Sequence, residues 1–158
     1  MEFHIFEDDL TLATIPNVTP RISVRAVIIR NNNLLLIHNQ AIDTYVLPGG
    51  GVEDSETLED ALKREVLEET GYTVIEATKT FCVKEYFSDS IWHHHYYRVD
   101  VSSDYVHPKL TVEEIALGHT ITEKPIVEAL DMLSHYQGKH PNSNNIHQRE
   151  LIGLIHSL

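Results

Sequence analysis

The stretch Leu47 to Tyr72, LPGGGVEDSETLEDALKREVLEETGY, opens on three consecutive glycines and closes on a dense group of glutamates. Glu65, Glu68 and Glu69 are the residues whose type and spacing could do chemistry. Projected on a helix at about 100° per residue, Leu58, Ala61 and Leu62 fall within roughly 60° of Glu65, and so do Glu68 and Glu69. The inward stripe thus turns from aliphatic to carboxylate halfway along. Carboxylates carried into a partly buried site are costly unless compensated, and three like charges cannot compensate one another. A divalent cation can, and closely spaced carboxylate oxygens suit hard ions such as Mg²⁺ or Mn²⁺. Neither a cysteine cluster nor a helical histidine pair offers the softer ligands that zinc prefers. The rival reading is a solvated face, because glutamates form helices well and a run such as REVLEET often simply meets water.

These carboxylates need a helix to hold them, and its ends are marked. Thr57 can cap the N-terminus with Asp60 three positions on, and Gly71 suits the C′ position. HIFED reads as a short leading strand, and Pro16 and Pro20 frame a connector into the strand RISVRAVIIR. The turn NNN at 31–33 joins it to LLLIHNQ as a hairpin. YTVIEATKTFCVKEYF and IWHHHYYRVDVS have the β-branched and aromatic content of strands. TEKPIVEALDMLSHY predicts a second helix, with Thr122 as N-cap and Pro125 in its first turn. QGKHPNSNN then breaks the pattern before a short amphipathic helix, IHQRELIGLIHSL. The order implies an α+β fold, a mixed sheet covered by helices. One catalytic domain over 1–136 is expected, with 137–158 as a tether and C-terminal helix of the same domain.

With 158 residues, 42% of them hydrophobic, the chain suits one domain with a full core. Apolar runs such as Leu34 to Ile37 are too short to span a bilayer, and the start MEFHIFEDD is acidic where a signal peptide would be basic, so a cytoplasmic protein is expected. The single cysteine, Cys82, excludes an internal disulfide and reads as a strand residue. The net charge of −12, with the basic residues scattered, argues against nucleic-acid polymers and anionic membranes as partners. A small phosphorylated substrate stays compatible, because cations held by carboxylates invert the local field.

Gly50, Glu56, Arg64, Glu65, Val66, Glu68, Glu69 and Gly71 stand as G-x5-E-x7-R-E-U-x-E-E-x-G-U, where U is a bulky aliphatic residue. This resembles the signature of the Nudix (MutT-like) hydrolases, with only the final U replaced, by Tyr72. The resemblance implies an α/β/α sandwich around a mixed sheet. It implies a Mg²⁺-dependent pyrophosphohydrolase, with Mn²⁺ as the other candidate ion, that cleaves a nucleoside diphosphate linked to another group by attack of water at phosphorus. By the same analogy, the Gly49 carbonyl and Glu65, Glu68 and Glu69 are the metal ligands, and one of the glutamates doubles as base. Arg64 pairs with Glu56 and orients the helix. Metals would neutralise the diphosphate and lower the pKa of bound water.

Several members of that family take a base from a loop outside the motif, and Glu113 and Glu114 are the candidates here, with Glu114 preferred and Glu85 a rival. Arg25 is either a phosphate contact, the preferred reading, or a strand-end charge that reaches solvent. In WHHHYYR, alternation lets only His93 and His95 share a ligand, which leaves zinc without a third partner. Trp92, Tyr96 or Tyr97 could stack on a nucleobase. EYFSDSIW lacks the proline that often marks ADP-ribose hydrolysis and the tyrosine that marks dinucleoside polyphosphate cleavage. That favours nucleoside triphosphates, oxidised purines included, over ADP-ribose or other nucleotide sugars, and a non-catalytic ligand sensor is the rival from another class. In the last helix, Leu151, Ile155 and Leu158 form a stripe, flanked by Ile152 and Leu154, that either folds back on its own domain or docks on a second copy as a homodimer.

Overall fold

The computed structural model describes residues 1–139 and 141–158, so that His140, inside the expected tether, lies outside the described residues. The strands are β1 (Glu2–Phe6), β2 (Arg21–Arg30), β3 (Asn33–Asn39), β4 (Thr44–Val46), β5 (Tyr72–Tyr86), β6 (Ile91–Tyr105) and β7 (His119–Pro125). The helices are α1 (Leu58–Thr70), α2 (Val112–Ala116), α3 (Ile126–His135) and α4 (Ser143–Ile155).

The strands form one sheet in the order β1-β5-β6-β2-β3-β4, with β7 also paired to β3. It is mixed, because β1 runs parallel to β5 and β2 parallel to β6 while the other pairs are antiparallel. The β2–β3 turn places Asn31 and Asn32 at φ 48° and 64° between the paired residues Arg30 and Asn33. Two left-handed residues match the right-handed twist of the flanking strands, and asparagine tolerates that region better than most side chains. The hairpin holds for only two residue pairs, Ile29 with Leu34 and Arg30 with Asn33, before the strands part. The opened edge of β2 is taken by the glycine loop: the amides of Val24 and Ala26 donate to the carbonyls of Gly50 (3.0 Å) and Pro48 (2.8 Å).

Alternation along the strands sends side chains to two covered faces. Val24, Ala26 and Ile28 of β2, with Tyr97 and Val99 of β6, pack under Ala61, Leu62 and Val66 of α1. Val27, Phe81, Val83 and Tyr96 meet Ala129 and Leu133 of α3 and Leu154 of α4 on the other face. Helices therefore flank the sheet on both sides.

Three expectations change. Thr122 caps no helix: it lies within β7, where residues 119–125 pair in full register with β3, and Pro125 itself stands at the N-cap of α3. The alternating Thr and Ile of this segment supply a strand face, and the neighbour that rewards it lies far away in sequence. The C-terminal helix begins at Ser143, earlier than expected, and its inward side is not the expected stripe. Ile155 and Leu158 are 54% and 50% exposed, whereas His147, Glu150 and Leu154 are buried.

That inward side is polar because it completes a buried network. Arg149 Nη1 donates to Glu85 Oε2 (3.1 Å), and its Nε donates to Glu150 Oε1 (2.8 Å). Tyr96 Oη also donates to Glu150 Oε1 (3.3 Å), while Glu150 Oε2 accepts the Leu47 amide (2.9 Å). His147 accepts the Tyr45 amide at Nε2 (3.0 Å), which makes Nδ1, 3.0 Å from the Tyr136 carbonyl, the protonated nitrogen. Helix α4 thus ties down β4 and the start of the glycine loop.

His94 extends the network, with Nε2 2.8 Å from Glu85 Oε2 and Nδ1 2.6 Å from Ser23 Oγ. Burial, reinforced by the Arg149 charge, lowers the His94 pKa to about 4, so its ring is neutral, donates to Glu85 and accepts from Ser23. Burial alone would raise the Glu85 carboxyl, but the His94 N–H and the Arg149 guanidinium together hold it below the ordinary range. A histidine depressed in the folded state contributes stability that is complete above its unfolded pKa and is lost as pH falls through the folded value. Stability is therefore expected to fall from about pH 6.5 to about pH 4, by roughly 3 kcal/mol from this residue at about 1.4 kcal/mol per pKa unit. Denaturant titrations across that window check this. His94→Gln should flatten the slope, and an unchanged slope would show that other groups set the acid limit.

Candidate metal centre

Helix α1 carries the carboxylates to the glycine loop. Thr57 Oγ1 accepts the Asp60 amide (3.1 Å), and the chain leaves the helix through Gly71 at φ 75°, whose amide returns to the Leu67 carbonyl (2.9 Å). With both ends fixed, Glu65 and Glu69 lie buried beneath the loop, while the Glu68 side chain is 40% exposed. Gly49 adopts φ 143°, and a Cβ there would stand 2.0 Å from the Val24 carbonyl oxygen. At Gly50 a Cβ would stand 2.5 Å from the Glu65 carboxylate.

These two glycines predict opposite outcomes for alanine. Gly49→Ala meets fixed backbone and a φ unfavourable to L residues, so it should destabilise the fold by at least about 1 kcal/mol. Gly50→Ala meets only the far end of a flexible side chain, so melting should shift little while the Glu65 carboxylate is pushed aside and metal affinity falls. Thermal melts and metal titrations of the two variants separate the effects. Equal destabilisation by both would contradict this account.

Arg64 organises the front of the site. Its Nε and Nη2 donate to the two oxygens of Glu56 (2.8 and 3.0 Å), and Nη2 also donates to the Gly51 carbonyl (3.0 Å). Its Nη1 reaches Glu65 Oε1 (2.7 Å) and, more weakly, Glu68 Oε2 (3.4 Å). The Arg64 hydrogen bond holds the Glu56 carboxyl down to about 2. Glu65 is raised chiefly by burial, against the pull of Arg64. Glu69 has no such partner. Burial pushes it up to about 8, against the Gly49 amide, which it accepts at Oε2 (2.7 Å), and the Arg25 charge.

Arg25 engages its guanidinium through Nη1, while its buried Nε has no hydrogen-bond partner among the described residues. Its Nη1 donates to the carbonyls of Gly49 (3.0 Å) and Leu47 (3.3 Å), so it holds the glycine loop from below. Of the two loop acids, Glu113 is exposed, and Glu114 is drawn inward by a capping box in which it accepts the Thr111 amide (2.7 Å). Glu69, Glu114 and His119 form the one group of three His, Cys, Asp or Glu side chains, among the described residues, in which a ligand atom of each lies within 4.8 Å of the others. Glu69 and His119 also line a cavity of about 350 Å³, with Ile37, Tyr105, His107 and Leu110.

Other candidates lie elsewhere. Glu85 belongs to the buried network on the α4 face, and Tyr96 and Tyr97 are core residues that cannot receive a nucleobase. Trp92 stays partly exposed, with the Arg21 guanidinium 5.2 Å from its ring centroid. His93 and His95 share a face with Cys82 and two lysines, and among the described residues they form no group of three donors close enough to share an ion. His119 was the residue the sequence did not disclose, since nothing local marks a histidine fifty positions from Glu69 as its neighbour.

A mixed sheet between helices, with a glycine loop laid over a carboxylate-bearing helix, defines the class. A NUDIX domain model matches residues 19–145, and the chain belongs to the Nudix family. An ADP-ribose pyrophosphatase of Methanocaldococcus jannaschii is 44% identical over 55 residues, covering 33% of this chain and 32% of that protein. A Bacillus subtilis protein provisionally named 8-oxo-dGTP diphosphatase is 38% identical over 53 residues, covering 34% and 36%. The matches thus span about a third of these curated relatives. A Nudix hydrolase structure from Nitrosomonas europaea superposes with a TM-score of 0.63 at 21% identity, over 85% of this chain and 90% of that one. A MutT Nudix hydrolase from Burkholderia pseudomallei gives 0.58 at 24%, over 83% and 98%. At these identities the likeness concerns the fold.

Proposed function

We propose that the protein is a divalent-metal-dependent pyrophosphohydrolase that cleaves a nucleoside diphosphate bearing a further group, with nucleoside triphosphates, oxidised purines included, as the first substrate class. The observation that carries this reading is the approach of Glu69, buried on α1 and bonded to the Gly49 amide, to Glu114 and His119, with Glu65 buried beneath Gly50 one helical turn away. Buried carboxylates lacking a full set of cationic partners are costly, and an ion relieves that cost. The donors are oxygen-rich, as Mg²⁺ or Mn²⁺ requires. Gly49 O, Glu65, Glu68, Glu69 and Glu114 would hold the ion. The Gly49 carbonyl keeps an acceptor site beside its Arg25 contact.

When bound, the metal supplies charge neutralisation at the diphosphate and an acidified water. The remaining work falls to the chain. Arg64, gripping Glu56 and Gly51, fixes the face of α1 that presents Glu65 and Glu68. Arg25 and Glu150 hold the loop at Leu47 and Gly49. Glu114 is the preferred proton acceptor, since it reaches the cluster and, with one oxygen on the Thr111 amide, keeps two lone pairs on the other, one for the ion and one for a proton.

ADP-ribose is the second substrate reading, favoured by the name of the archaeal relative. Nucleoside triphosphates, oxidised purine nucleotides, ADP-ribose and nucleotide sugars, each assayed with Mg²⁺ or Mn²⁺, distinguish the classes by their products. Pyrophosphate with a monophosphate marks the first class, and AMP with ribose 5-phosphate marks the second. Tight binding of one compound without turnover of any would overturn the enzyme reading in favour of a ligand sensor. No helix among the described residues is long and apolar enough to cross a membrane.

A further inference from the structure

Resting on the metal-dependent reading above, we propose that His119 is itself a ligand of the bound cation, and that its nitrogen makes the site prefer Mn²⁺ or Co²⁺ to Mg²⁺. Three elements converge on this point: Glu69 from α1, Glu114 from α2 and His119 from the first position of β7, with one donor atom of each within 4.8 Å of the others. His119 is paired in register with Asn39 at the end of β3, so a ladder strand rather than a loop holds its backbone. Ligands on ladder strands are placed more precisely than ligands on loops.

The second observation is an orphan. The Nδ1 of His119 is enclosed and has no hydrogen-bond partner. Enclosed side-chain nitrogens in folded proteins nearly always find a partner. Arg25 Nε and His95 Nδ1 are bare as well, but His119 alone of these belongs to a group of donors close enough to share a cation. A neutral imidazole nitrogen carries a lone pair suited to first-row transition ions. Mg²⁺ demands oxygen donors and gives up its water reluctantly, whereas affinity at a nitrogen donor rises from Mn²⁺ through Co²⁺. An imidazole added to the oxygen donors therefore shifts the preference of the site from Mg²⁺ toward Mn²⁺ and Co²⁺. This reading was absent from the carboxylate stripe of α1 alone, which contains only oxygen donors.

Electron spin-echo envelope modulation of the full chain loaded with Mn²⁺ tests the coordination without reference to turnover. Imidazole ¹⁴N coupling is expected in the unaltered protein and in His107→Gln, a control on the same cavity wall, and should vanish in His119→Gln. Calorimetric titrations should show Mn²⁺ and Co²⁺ affinity falling by about tenfold or more in His119→Gln while Mg²⁺ affinity changes far less. Bound Mn²⁺ without nitrogen coupling, or coupling that persists in His119→Gln, overturns the role of His119 and leaves the carboxylate site standing. Failure of the unaltered protein to bind Mn²⁺, Co²⁺ or Mg²⁺ overturns the metal-dependent reading as well. If His119→Gln does not fold, the spectrum of the unaltered protein beside that of His107→Gln still decides, since absent coupling excludes a histidine ligand.

Discussion

Glu69→Gln is expected to lower turnover by about a hundredfold or more while the protein stays folded. Loss of groups that merely support a ligand typically costs about 10–100-fold, and a ligand itself should stand at or beyond that upper end. The fold should tolerate the change because the amide oxygen can still accept the Gly49 N–H, and because burial already pushes the Glu69 carboxyl up to about 8. At neutral pH the metal-free protein thus holds a largely protonated group there, and glutamine is a neutral replacement of the same shape. Melting temperature should be unchanged or slightly raised. Glu68→Gln should also lower turnover, with little effect on melting, since Glu68 is half-exposed and meets only Arg64 at 3.4 Å. Near-normal turnover by Glu69→Gln at saturating Mg²⁺ would remove Glu69 from the ligand set.

The largest stability effect is expected far from the carboxylates. Arg149→Met would leave Glu85 and Glu150, 4% and 0% exposed, without the guanidinium that joins them. Removing one member of a buried ion pair strands the charge of the other, at a cost of about 3–5 kcal/mol. That is a large share of the roughly 5–15 kcal/mol that holds a domain together. Urea unfolding should show the midpoint falling by the corresponding amount. A loss below about 1 kcal/mol would mean that the network relaxes or hydrates, contrary to its enclosed geometry.

What could be read from the chain was local. Thr57, Gly71 and the spacing of Glu65, Glu68 and Glu69 mark α1 because capping and a 3.6-residue period depend on near neighbours. The paired asparagines 31 and 32 mark the hairpin for the same reason. What escaped was long-range. Strand β7 owes its form to β3, some eighty residues earlier, and Pro125 disguised it as the start of a helix. The pair Arg149–Glu150 looks like an ordinary solvated couple, and only packing against β4 and β5 turns it inward. Likewise, nothing in WHHHYYR tells that Tyr96 and Tyr97 point into two separate cores.

The bond between the Leu47 amide and Glu150 spans 103 residues. A polypeptide emerges from the ribosome in one direction, and domains made this way tend to fold as units once their parts are present. While the chain is being made, the glycine loop can meet β2 and α1 soon after it emerges, yet the Leu47 amide stays unpaired with Glu150 until α4 arrives. A nascent chain stalled before α4 would therefore carry every carboxylate of the cluster on α1 and α2, beneath a loop whose first residue is held by Arg25 and the β3–β4 pairing alone. The last bond of the loop thus closes late in biosynthesis, when a helix outside the carboxylate cluster docks.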